Sequence, residues 1–158
     1  MTGEGPLLAA FALRMVADRY AMAVDRGDGA LFAAQFTPDG VLEAPRGRFV
    51  GRDELATVPA VMKRLYDRTH HGVVAMVPEF DGDEAAAETY TYARHYYRDD
   101  AGAEHCYEMT VRYEDAFRKV DDAWLLARRN LVLVGDATCR TGRQHRADDP
   151  ARREGADT

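Results

Sequence analysis

Lysine is nearly absent from this chain: two residues against nineteen arginines. Those arginines are scattered among twenty-seven acids, and the net charge is −6. That balance excludes a phosphate-tracking surface, so no nucleic acid is expected as a partner. Cysteine is equally scarce. Cys106 and Cys139 form no CxxC pair, which reads as two free thiols in a reducing cytoplasm. No apolar run approaches the roughly eighteen residues that cross a bilayer, so no membrane partner is expected. The N-terminal MTGEGPLLAAFALRM lacks the basic lead-in of a secretion signal. No metal site and no cofactor is expected either: the histidines do not combine with Cys106 or with carboxylates at a ligand spacing, and there is no phosphate loop and no GxSxG. What remains is a partner of small-molecule size, or another copy of the chain.

The 158 residues, 46% hydrophobic and 30% charged, suffice for one ordinary core. From Leu7 to about Asp25, Leu8, Phe11, Ala12, Met15, Val16, Tyr20, Ala23 and Val24 recur every three or four positions, predicting an amphipathic helix that GDG at 27–29 breaks. A short helix, ALFAAQF, runs into TPDG at 37–40, read as a turn. VLEAP and GRFVG predict two short strands. A third helix is expected over Arg52–Tyr66, weakened in its middle by Pro59. After His70 the period changes to two, giving four long strands separated by DGDE, DDAGA and DDA. In the third of them Tyr107, Met109, Val111, Tyr113 and Phe117 alternate against Glu108, Thr110, Arg112, Glu114 and Arg118, so one face is buried. Helices followed by a long antiparallel meander make an α+β fold, with a strongly curved, mostly antiparallel sheet wrapped around the leading helix. The domain is expected to span 1–134. From Gly135 to Thr158 five arginines, five acids and little apolar surface read as a flexible polar tail.

The histidine doublet in RTHHGVVAMV stands at the head of the first long strand. Neighbouring strand residues point to opposite faces, so only one of the two faces inward. His71 shares its parity with Val73, Ala75 and Val77. An imidazole on that apolar face needs a hydrogen-bond partner, or it serves only as a satisfied core histidine. Asp25 could supply the bond, or simply cap the loop after its helix. An acid at a helix C-terminus opposes the helix dipole, so the position costs something. Tyr20 reads equally as a core aromatic or a site phenol. Five residues before Asp25, it converges on that residue only if the helix end unwinds. His95 shares a face with Ala87, Thr91, Ala93 and Tyr97, suited to lining a pocket or to an unremarkable strand position. Arg129, on the parity of Leu125, Ala127, Leu131 and Leu133, needs either an acid or a substrate anion.

Taken together, Tyr20 and Asp25 in RYAMAVDRGD, LFAAQFTPDG, GRFVGRDEL, THH at 69–71, the DGD turn, RYEDAF and DDAWLLARR resemble the SnoaL-like branch of the NTF2-like superfamily, over about residues 8 to 134. The resemblance implies a cone-shaped α+β barrel. It is strongest to the lyases that include scytalone dehydratase, bile-acid 7α-dehydratase and hexachlorocyclohexane dehydrochlorinase. What it implies is catalysis by His71 paired with Asp25, with Tyr20 nearby and Arg129 on the last strand. His95 would be a second acid-base group that protonates a departing hydroxyl. The dehydrochlorinase pattern has a lysine where this chain has Tyr20, which favours the dehydratase side. The implied reaction is cofactor-free elimination of water from a hydroxylated, cyclic carbonyl compound. Two alternatives stand: a polyketide cyclase or isomerase using the same hollow, and a non-catalytic binding or assembly module. An exposed curved sheet further suggests a homo-oligomer, a dimer or trimer.

Overall fold

The structure, a computed structural model, describes residues 5–142. Helix α1 (Pro6–Arg26) starts with proline in its first turn, where the missing N–H costs nothing. It ends at Gly27, whose φ of 74° is the left-handed cap conformation and whose N–H reaches the carbonyls of Ala23 and Val24. Asp28 then caps α2 (Gly29–Ala34) by accepting from the Leu31 N–H at 2.9 Å. Gly29 has its own steric reason: a Cβ there would lie 2.1 Å from the Ala56 carbonyl oxygen. The GDG break is thus a cap, an N-cap and a close helix approach in succession.

Strands β1 (Phe36–Ala44) and β2 (Gly47–Val50) follow, then α3 (Gly51–Leu55) and α4 (Val58–Leu65). Two expectations are corrected here. TPDG is not a turn between elements but an irregular stretch inside β1: pairing with β6 holds at Phe36, lapses, and resumes at Val41. The single third helix is two helices, because Pro59 sits in the first turn of α4, where it starts a helix instead of weakening one.

The meander β3 (Arg68–Asp81), β4 (Glu84–Arg98), β5 (Glu104–Val120) and β6 (Ala123–Arg140) completes an α+β fold. The sheet is curved and unclosed, in the order β2-β1-β6-β5-β4-β3, with only β1 and β6 parallel. β2 and β3 are its edges, and Pro78, which lacks an N–H, lies on the β3 edge. The core packs Leu13, Val16, Tyr20 and Val24 of α1 against Phe32, Phe36, Val111, Tyr113, Phe117 and Leu126. The outer face of the sheet leaves Val74, Val77, Tyr90 and Tyr92 exposed.

The flexible tail expected from Gly135 is corrected at its start. Gly135–Arg140 continue β6 and pair with His105–Thr110 of β5, and the Thr141 N–H reaches the Glu104 carbonyl at 2.9 Å. Polar, exposed side chains do not prevent a strand when an adjacent strand satisfies the backbone. Residues 143–158 of that expected tail lie outside the described residues. The two cysteines are both free; Cys106 on β5 and Cys139 on β6 are register partners, one buried and one exposed.

Candidate active site

Helix α1 lies along the open edge of β3, and two of its side chains satisfy that edge. Arg14 donates to the Val73 carbonyl at 2.9 Å, and Asp25 accepts the His71 N–H at 2.9 Å. The second oxygen of Asp25 accepts from the Thr69 hydroxyl at 2.8 Å and meets His71 Nδ1 at 2.7 Å. One carboxylate therefore holds both the backbone and the ring of the same histidine. Burial works against its charge, but the bonds from the His71 ring and backbone and from Thr69 prevail, so its pKa is lowered. An ionised carboxylate only accepts, so the neutral His71 ring carries its proton on Nδ1 and leaves Nε2 with a bare lone pair. The helix end itself is held by Lys63 Nζ, which donates to the Asp25 carbonyl at 2.8 Å.

His71 lines a cavity of about 210 Å³ between α1, α4, the β1–β2 turn and the inner face of β4–β6. Its walls are chiefly apolar: Val24, Leu42, Phe49, Met62, Met109 and Leu131 are among them. His70 is exposed on the other side of the strand. The face that His71 was expected to share is corrected beyond Val73. A bulge skips Val74, so that Val73 pairs with Thr91 but Ala75 with Tyr90, and the inner parity passes to Met76. Val77, expected inside, is 74% exposed. A bulge exchanges the faces of everything after it, and alternation read along a sequence cannot locate it.

His95, 3% exposed, lines the same cavity with its ring edge-on to His71, the centroids 5.4 Å apart. Its Nδ1 lies 3.2 Å from the Tyr107 carbonyl oxygen, which only accepts, so this nitrogen carries the proton. Burial, chiefly, brings its pKa down to about 4, and the Arg46 charge, with that of His71 whenever its ring is protonated, acts in the same direction. Near neutrality the ring is therefore uncharged with Nε2 as an acceptor, a state that does not favour the acid role towards a leaving hydroxyl expected of His95.

Tyr20 is 6% exposed and lines the cavity floor beside Tyr113. The helix does not unwind to bring it to Asp25; α1 is intact through Arg26, and the two residues address different neighbours. Tyr20 packs on Phe32 at 4.6 Å and on Tyr113 at 5.9 Å between ring centroids. Burial raises its pKa against the pull of the Arg129 charge and the Tyr113 hydroxyl, so it is a protonated donor.

Arg129 is 1% exposed but is not among the cavity-lining residues. Its Nε and Nη2 donate to the two oxygens of Asp115 at 2.8 and 2.6 Å, and Thr89 adds a third bond to that carboxylate at 2.7 Å. The guanidinium lies 4.3 Å from the Tyr20 ring centre and 4.2 Å from that of Tyr113. The expected contact of Arg129 with substrate is corrected: its charge is spent on Asp115, and it reaches the cavity only through the two phenols. The bulge at Ala127 also removes Leu125 from its face, since Leu126 pairs with Phe117 while Arg129 pairs with Asp115.

Sequence reading missed Asp115, Thr69, Arg46 and Tyr66 as parts of the site. A signal existed for Asp115, an acid at the buried parity between Tyr113 and Phe117. For Arg46 and Tyr66, in connecting segments, there was none.

A family model for the SnoaL-like domain matches residues 7–130. The chain belongs to this SnoaL-like family. Solved structures with its fold include a scytalone dehydratase-like protein from Novosphingobium aromaticivorans, 22% identical over 86% of this chain and 89% of that one, with a TM-score of 0.72. Another is hexachlorocyclohexane dehydrochlorinase LinA type 3 from Novosphingobium barchaimii, 12% identical over 90% and 97% of the two chains, with a TM-score of 0.75. A protein of unknown function from Mycobacterium tuberculosis is 24% identical over 80% and 77%, with a TM-score of 0.69. At these identities the likeness shows the fold. No curated protein matches the chain in sequence. The SnoaL-like chain thus shares its architecture with lyases and with proteins of unassigned activity. Among its described residues no three His, Cys, Asp or Glu side chains could hold a metal ion together, and no helix is long and apolar enough to cross a membrane.

Proposed function

We propose that this SnoaL-like protein is a cofactor-free lyase that eliminates water from a hydroxylated cyclic carbonyl compound. The observation that carries the reading is the 2.7 Å bond from His71 Nδ1 to Asp25 at the wall of an apolar cavity. His71 Nε2 removes the proton next to the carbonyl, and Asp25 stabilises the imidazolium that results. Tyr20, protonated and facing the cavity, donates to the carbonyl or to the departing hydroxyl. His95, neutral, accepts a hydrogen bond from a substrate hydroxyl and orients it. Apolar walls exclude competing water.

The test is turnover on a panel of cyclic hydroxy-ketones, with the product followed by mass. Dehydration removes one water from the mass, whereas cyclisation without dehydration and isomerisation do not. His71→Ala is expected to abolish turnover and leave the melting temperature near that of the parent. Near-full turnover in that variant overturns the proposal.

A further inference from the structure

The cavity lining is uneven in charge. Among the described residues no aspartate or glutamate lines it, and Arg46 is the one guanidinium that does. Arg46 sits in the β1–β2 turn, at the rim. Its neighbours Arg48 and Arg128 both pair with Glu43, but among the described residues Arg46 has no carboxylate partner. Its Nη2 instead donates to the Tyr66 hydroxyl at 2.6 Å, with the guanidinium carbon 5.6 Å from the Tyr66 ring centre. Having accepted that bond, the Tyr66 phenol keeps its own proton to give.

Tyr66 also connects the rim to the interior. Its ring centroid lies 4.7 Å from that of His95, which in turn faces His71 at 5.4 Å. Arg46, Tyr66, His95 and His71 therefore form one continuous row, from a cation with no carboxylate partner among the described residues to the Asp25-held imidazole inside. A ligand whose reacting carbon meets His71 would direct its far end along this row. A chain of net charge −6 repels anions at long range, so a cation left without an acid at the cavity mouth has a specific consequence. A guanidinium and a phenolic O–H side by side offer a planar fork plus one donor, which suits a carboxylate.

We propose that Arg46 and the Tyr66 hydroxyl bind a carboxylate on the ligand that fills this cavity, so that the substrate is a cyclic hydroxylated carboxylic acid. The inference rests on reading the cavity as the substrate site, and its test requires no turnover.

The probes are 6-hydroxy-2-naphthoate and its neutral carboxamide, whose equilibrium binding is measured by calorimetry on the full chain. The parent protein is expected to prefer the carboxylate by about ten- to a hundredfold, the range of a charge-assisted bond. Arg46→Met should bring the ratio to near one. Arg46 is exposed on a turn, so this variant keeps the fold, which the melting temperature verifies. Arg46→Lys should retain part of the preference, and His71→Ala all of it. Four results overturn the proposal: equal binding by the parent, an unchanged ratio in Arg46→Met, loss of the preference in His71→Ala alone, or no binding of either probe. A preference that follows Arg46 in a protein without lyase turnover would sink the proposed reaction and leave this inference standing.

Discussion

His71 and Asp25, 46 residues apart in sequence, meet twice: ring to carboxylate at 2.7 Å and backbone N–H to carboxylate at 2.9 Å. The backbone bond fixes the carboxylate beside the strand, and the ring bond then orients the imidazole against that fixed carboxylate. A histidine held this way presents one defined nitrogen to the cavity.

Replacing Asp25 with Asn keeps the size but loses the charge that stabilises an imidazolium, and its amide can offer an N–H where His71 needs an acceptor. The expected outcome is a fall in kcat of about a hundred- to ten-thousandfold, the range of a placed general base, with a smaller change in KM. Steady-state kinetics on the substrate found in the hydroxy-ketone panel measures it.

His95 should remain uncharged through most of the acid range. Its folded pKa of about 4 lies below the ordinary 6.5, so the unfolded chain binds the proton first. This residue's share of stability is complete above pH 6.5 and declines as pH falls towards 4. An NMR titration of the His95 ring carbons should show no protonation step above about pH 5. A midpoint near 6.5 would contradict the burial argument.

Arg129 and Asp115 are predicted to matter for stability before chemistry. Arg129→Met leaves a buried carboxylate with only Thr89 as donor, an expected loss of about 3–5 kcal/mol in urea unfolding. Arg129→Met combined with Asp115→Leu should recover much of that loss, because the uncompensated charge is gone. If the double variant is no more stable than the single one, the pair does more than neutralise itself.

Glu104 provides an acid-sensitive clasp at the end of the β5–β6 hairpin. Arg68 grips both its oxygens at 2.8 and 3.1 Å, and the Thr141 hydroxyl adds a bond at 2.9 Å. The Arg68 bonds hold its pKa down at about 2, against 4.5 in the open chain. Its stabilisation is therefore full above pH 4.5 and disappears as pH falls through 2. Melting temperature followed over that window should fall less steeply in Glu104→Gln than in the parent.

Periodicity alone determined most of the element list, because helices and strands leave periods of 3.6 and 2 in the pattern of apolar residues. Strand alternation admitted only one of His70 and His71 to the interior. The apolar residues expected beside His71, together with the family resemblance, chose between them, and of those residues only Val73, ahead of the bulge, keeps its face. Other decisions rest on contacts between distant segments. The bulges at Val74 and Ala127 exchange faces to suit the partner strand, and no local signal marks them. Gly135–Arg140 became strand because β5 runs beside them, although their own composition reads as a tail. Arg129 announced the need for a counter-charge; only the β5–β6 register chose Asp115 over a ligand. His95 was visible as a cavity residue, but its protonation state follows chiefly from burial and from the nearby Arg46 charge, which the fold brings about. Burial, register and electrostatic neighbourhood are properties of the assembled chain, so they appear only once the sheet has curved around α1.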